Sequence, residues 1–192
     1  MAMTVKRRKD TFVKKVFEHR IADIRGGVGV KTSNLGGDFL FEGTPLGAIT
    51  DGICEVVKVA KVVDAAIAAA VNYNVEKGSH FKVGDFVMES EGAKAYAITA
   101  IDKTNAAKDT ITVATTLGVA IPAGSFLIEA AAIAASDQSK LRVEPQSLNG
   151  TNYPVNQKDN IITDAWLIGT TVNNVIPELI LNKLKGIINF NR

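Results

Sequence analysis

Three times in this chain a turn glycine is followed by a small or acidic polar residue and then by apolar residues. The instances are Gly43-Thr44-Pro45-Leu46, Gly84-Asp85-Phe86-Val87 and Gly124-Ser125-Phe126-Leu127. Glycine takes the positive-φ conformation that a sharp reversal needs, and the residues after it enter a strand. A chain punctuated this way is confined to mainly β architectures, a compact β-barrel or β-sandwich. The repetition is one of turn grammar and not a solenoid.

Strands are readable between the turns. Tyr96-Ala97-Ile98-Thr99-Ala100-Ile101 and Thr110-Ile111-Thr112-Val113 flank a polar loop, Asp102 to Asp109, and predict a hairpin. Ile111 and Val113 alternate with Thr110 and Thr112, the period of a half-buried strand. The β-branched run from Ile53 to Val63 predicts another strand, and Asp38–Phe41 a short one inside the Gly-rich stretch 26–50. Ala130–Ala134 reads as strand. Ala65–Ala70 stays open, because alanine favours helix while the flanks look extended. Ser136 to Asn160 is polar, holds Pro145, Gly150 and Pro154, and reads as a long ordered loop. Beyond it come Ile161, Ile162 and Ala165-Trp166-Leu167-Ile168, with the one tryptophan. Pro177 suits the first position of a helix, with Asn174 as a cap. Ile180, Leu181, Leu184, Ile187 and Ile188 then share one face, predicting a short amphipathic helix over 177–185. Its stripe reads as core, and an oligomer interface through Ile180, Leu184 and Ile187 is the alternative. The chain divides into a basic arm and Gly-rich segment (1–50), a β-rich body (51–135) and a loop with C-terminal strand and helix (136–192).

The net charge of +2 conceals an asymmetry: residues 1–25 carry eight basic against three acidic side chains. A basic arm on a mildly acidic body reaches for an acidic surface or for nucleic acid. Phe12, Val13, Val16 and Phe17 recur at helical spacing, so a short N-terminal helix is expected over 12–25, capped by Thr11 and ended by Gly26 and Gly27. In a docking arm Lys6, Arg7, Arg8, Lys9, Lys14, Lys15 and Arg20 supply charge complementarity. Phe12, Phe17 and Ile21 supply the apolar anchors that give lasting affinity.

The residues give little to chemistry. Cys54 is the single cysteine, and His19 and His80 add too few ligands for a zinc site. His80 lies in a hydrophilic stretch and is expected to be exposed or locally hydrogen-bonded. Gly26-Gly27-Val28-Gly29-Val30-Lys31-Thr32-Ser33 imitates a phosphate loop, but Val30 separates Gly29 from Lys31, so amides and lysine do not converge. Glu89 and Glu91 read as a solvated edge, and Asp102, Asn105 and Asp109 miss the spacing of a calcium loop. Phe86, Tyr96 and Phe126 sit among acidic or neutral neighbours, unlike the basic and aromatic interleaving of a nucleic-acid binder. No apolar stretch approaches the length of a membrane helix, and no apolar segment follows the N-terminal charges as in a secretory signal. No enzyme activity, cofactor, metal or membrane is expected.

Phe41-Glu42-Gly43-Thr44-Pro45-Leu46, Asp51-Gly52 and Val57-Lys58-Val59-Ala60 open a longer succession of phrases. It continues through Tyr73-Asn74-Val75-Glu76-Lys77-Gly78-Ser79-His80-Phe81-Lys82-Val83-Gly84-Asp85 and Ile121-Pro122-Ala123-Gly124-Ser125 to Asp159-Asn160-Ile161-Ile162-Thr163-Asp164-Ala165-Trp166. Together these resemble the head-fibre or capsid-decoration proteins of tailed bacteriophages, similar to those of crAss-like phages of gut Bacteroidales. The resemblance spans residues 12–185 and lacks the repetitive shaft of longer fibres, which favours a compact knob. It implies a virion protein on the outer capsid, often trimeric, made in the host cytoplasm. Such a protein binds the major capsid protein, and it stabilises the shell or mediates adhesion beside other virion surface proteins. The rival readings are a receptor- or carbohydrate-binding module on the virion and a nucleic-acid-binding virion protein.

Overall fold

The computed structural model describes residues 15–172 and 175–190. In chain order the strands are β1 (Phe17–Asp23), β2 (Val28–Val30), β3 (Phe39–Leu40), β4 (Pro45–Gly47), β5 (Ile53–Cys54), β6 (Val59–Lys61), β7 (Asn72–Glu76) and β8 (Phe86–Met88). They continue with β9 (Ala95–Asp102), β10 (Lys108–Val113), β11 (Phe126–Ala130), β12 (Pro145–Asn149), β13 (Tyr153–Pro154), β14 (Ile161–Thr163) and β15 (Ala165–Val172). The helix α1 (Glu178–Lys183) and the strand β16 (Ile187–Phe190) close the described chain. The fold is mainly β, in several sheets of which none closes into a barrel, an arrangement consistent with a sandwich.

The turn phrases perform as their chemistry dictates. Gly43, Gly84 and Gly124 have φ of +83°, +96° and +87°, and β4, β8 and β11 begin two residues after them. The expected hairpin is β9 with β10, in register from Thr110 opposite Asp102 to Val113 opposite Ile98. On β10 Asp109, Ile111 and Val113 are buried, while the hydroxyls of Thr110 and Thr112 donate to Asn74 and Asn72 of β7.

Two principal sheets result. The larger has the order β6-β11-β8-β9-β10-β7 and comes wholly from the middle of the chain. The other runs β1-β15-β12-β4, with β16 parallel to β15, so the N-terminal and C-terminal segments share one sheet. A three-stranded sheet, β14-β2-β5, and the pair β13-β3 complete the fold. The core has three parts. One gathers Phe17, Met88, Ile128, Leu148 and Ile180, a second Tyr73, Phe81, Val87, Ile98 and Ile111, and a third Val30, Leu35, Leu40, Leu46 and Val56.

Several expectations are overturned. The N-terminal helix is absent from the described residues: Phe17–Asp23 is strand, because its backbone pairs antiparallel along β15. Residues 12–14 and the Thr11 cap lie outside the described residues. The polar stretch after Ser136 contains β12, which pairs with both β15 and β4. Its polarity hid it, since Asn149 is buried with its amide bonded to Phe41 O and Thr151 O and its Oδ1 to the Thr163 hydroxyl. The C-terminal helix has only six residues, with Pro177 as its N-cap, and the Asn174 cap lies outside the described residues. The chain leaves that helix at Leu184, so Ile187 and Ile188 face opposite sides of β16 instead of sharing a helix stripe. Ile53–Val63 is split into β5 and β6. The alanine run 65–70 is neither helix nor a named strand, although Ala66 bridges Ile121. β11 stops at Ala130, and Ala134 makes an isolated bridge to Ala95.

β1 lies close against β15 because Gly169 has no side chain. A Cβ there would stand 2.7 Å from the His19 carbonyl oxygen and 3.1 Å from the Phe17 ring. Gly169→Ala is expected to lower stability by about 1–3 kcal/mol, because β1 must move away. Urea unfolding followed through the fluorescence of Trp166, whose ring centroid is 6.2 Å from that of Phe17, checks this.

Candidate functional site

Of the residues expected to anchor the protein to a partner, Lys6, Arg7, Arg8, Lys9, Phe12 and Lys14 lie outside the described residues. Lys15 is exposed. Phe17 is buried in the chain's own core and is no docking anchor. Arg20 is engaged internally: its guanidinium lies over the Phe17 and Trp166 rings, donates to Gly150 O at 2.6 Å and meets Glu42 at 3.1 Å. Glu42, which the sequence did not mark, accepts the Val16 and Phe17 amides at 3.0 and 2.7 Å and so fixes the start of β1. Ile180, Leu184 and Ile187 are buried beside Phe17, so the stripe is core and no oligomer seam.

Ile21 does stand out, 68% exposed at an irregularity of β1 between Arg20 and Ala22. It adjoins a larger apolar face. Paired residues of neighbouring strands share a side of the sheet and successive residues alternate. Gly169 and Thr171 of β15 pair with Ile187 and Asn189 of β16 on the inner side. Ile168, Thr170 and Val172 therefore lie outward with Ile188 and Phe190, flanked by His19 and Ala22 of β1. Ile188 is 66% and Ile168 43% exposed, and the Thr170 hydroxyl at the centre has no hydrogen-bond partner. β1, the outermost strand, leads straight back to residues 1–14, which carry five basic and one acidic side chain.

A second constellation lies where three sheets meet. Lys58, 1% exposed, sits between β5 and β6 and places its ammonium 2.6 Å from Asp85 Oδ2 and 3.1 Å from Glu129 Oε1. The same Glu129 oxygen accepts from Arg142 Nε at 3.0 Å. Arg142 reaches on to Glu55 at 2.6 Å, and Lys31 meets Glu55 at 2.9 Å. Three cations thus alternate with three carboxylates. Burial raises the pKa of Glu129 above the ordinary range, against the pull of Lys58 and Arg142. Burial also acts upward on Glu55, but the Lys31 hydrogen bond and the charges of Arg142, Lys31 and Lys58 outweigh it and the net shift is downward. The cluster borders two adjoining grooves of about 260 and 670 Å³, both lined by Lys31, Glu55 and Arg142. Asp85 belongs to the second turn phrase, but nothing in the sequence pairs it with Lys58 or Glu129.

His80 is neither exposed nor locally satisfied as expected. It is buried, and its Nδ1 and the neighbouring Ser79 hydroxyl have no partner. Gly37 closes over the ring so tightly that a Cβ there would come within 2.9 Å of Nδ1. Among the described residues no group of three or more His, Cys, Asp or Glu side chains is placed to hold a metal ion, and no helix is long and apolar enough to cross a membrane. Comparison with protein-family models, with curated proteins and with solved structures returned no match.

Burial, followed by the charges of Lys58 and Lys103, pushes the His80 pKa down to about 4. The unfolded chain takes up this proton near pH 6.5 and the folded chain only near pH 4, so stability declines as pH falls through that window. The expected loss is roughly 3 kcal/mol. Urea titrations at a series of pH values check it, and His80→Gln flattens the dependence between pH 6.5 and 4.

Proposed function

We propose that this protein is a structural component of a phage virion, a head-fibre or capsid-decoration protein bound to the major capsid protein on the outer shell. The observation that carries this reading is the outward apolar face of β1, β15 and β16, continuous with the basic N-terminal segment. Monomers seldom leave a contiguous apolar sheet face uncovered. The basic residues that precede β1 in sequence call for an acidic, partly apolar partner, with charge setting rate and orientation and the isoleucines setting lifetime. Attachment at many equivalent lattice positions multiplies a modest single-site affinity, provided the protein self-associates so that several faces engage together. A homotrimer meets that need. The body acts by binding and not by turnover.

Purified protein is co-sedimented with shells of the phage that encodes it. Deleting residues 1–14 lowers occupancy at least about tenfold, and Ile168→Asp with Ile188→Asp does the same while leaving the body folded. A longer deletion, to residue 25, also removes β1 and the buried Phe17 and is expected to unfold the body. Occupancy unchanged by both alterations refutes the reading. Light scattering on the free protein is expected to give the mass of three chains, and a strict monomer at micromolar concentration contradicts the trimer.

A further inference from the structure

The charge cluster leaves one of its atoms unused. Glu129 is 2% exposed and its Oε1 serves both Lys58 and Arg142, but its Oε2 has no hydrogen-bond partner. A buried carboxylate oxygen without a donor costs more than the roughly 1–3 kcal/mol of a neutral group. Glu129 also lines the 260 Å³ groove, with Lys58, Asp85, Asn34 and Phe86 among its neighbours. We infer that this groove is a binding site for a neutral, hydroxyl-rich ligand, a single sugar unit.

Charge comes first. With three cations already balanced by three carboxylates, a ligand bearing net charge loses its hydration and gains no net attraction. Hydrogen-bonding capacity narrows the class further. An ammonium or guanidinium group only donates and a phosphate only accepts, whereas each hydroxyl does both. Adjacent hydroxyls therefore suit a wall on which the carboxylates of Asp85 and Glu129 stand beside the N–H groups of Lys58 and Arg142. Phe86, Ala130 and Ala131 offer the apolar side on which the C–H face of a sugar ring rests. Oε2 itself is buried, so an entering hydroxyl meets Asp85 and Arg142 first, whose side chains are 19% and 32% exposed. Across the Lys31–Glu55–Arg142 ridge the 670 Å³ groove has room for the next unit of a chain.

The site is independent of capsid attachment, and its test uses the isolated full chain. Protein-observed NMR is recorded during titration with D-galactose, D-mannose and N-acetyl-D-glucosamine, and with the charged N-acetylneuraminate and D-glucosamine, each to about 50 mM. At least one neutral sugar is expected to give saturable shifts at Gly84, Ala130 and Ala131 with a Kd of about 1–10 mM. The charged sugars bind more weakly. Glu129→Gln weakens binding. Ala131→Trp, which fills the groove from an exposed position away from the ion pairs, weakens it at least about tenfold with the rest of the spectrum unchanged. The inference fails if no neutral sugar gives a saturable shift, if a charged sugar binds more tightly than its neutral counterparts, or if Ala131→Trp leaves the affinity as it was.

Discussion

One buried ammonium group sets the relation among the sheets. Lys58 follows β5 of the three-stranded sheet and precedes β6 of the six-stranded one. Its partners come from the turn before β8, from β11 and, through Arg142, from the approach to β12. Backbone bonds run with the side chains: the Glu129 amide donates to Lys58 O and the Arg142 amide to Glu129 O. Such a cluster contributes little net stability over an apolar core of the same shape, since removing charges from water cancels most of the attraction. Its effect is on specificity. A packing that separates any two of these elements leaves a charge buried and unpaired, which costs several kcal/mol, so alternative sheet arrangements are penalised far more than the native one is favoured.

β1 is held by a parallel device. Glu42 turns back on the chain and takes two amides at the start of β1 with one oxygen and the Arg20 guanidinium with the other. The Phe17 ring then fits over Gly169, and the inner side of the sheet closes against Leu148, Ile180 and Ile187. Once the inner side is satisfied, strand alternation leaves Ile168, Ile188 and Phe190 outward. The exposed face is thus a geometric consequence of how the core is filled, and β16 widens it by pairing parallel to β15.

The turns and the β9–β10 hairpin were legible because their signals are local: a glycine that must take positive φ, and a period of two. What misled was periodicity decided by partners far along the chain. Phe12, Val13, Val16 and Phe17 carry a helical spacing, yet the backbone from Phe17 onward finds its hydrogen bonds on β15, about 150 residues away. Ser147 and Asn149 read as loop because polar residues usually do, and only the fold reveals that they are buried and paired. The charge cluster was invisible for the same reason. Lys31, Glu55, Lys58, Asp85, Glu129 and Arg142 are scattered over four-fifths of the span between β2 and β15, and no local pattern joins them.

The apolar residues left on the surface are of a particular kind. Ile21, Ile67, Val83, Ile133, Ile162 and Ile188 are each more than 60% exposed, and all are β-branched. Their stiff χ1 leaves them less rotamer entropy to lose on burial than a lysine or arginine, about 0.5–1 against 1.5–2 kcal/mol. Eight of the sixteen described lysines and arginines are meanwhile tied into ion pairs. On the three-stranded sheet Ile162, Gly29 and Ile53 pair across three strands, so a second outward row carries a notch between two isoleucines. A surface that combines rigid apolar ridges with paired charges loses little side-chain entropy on docking.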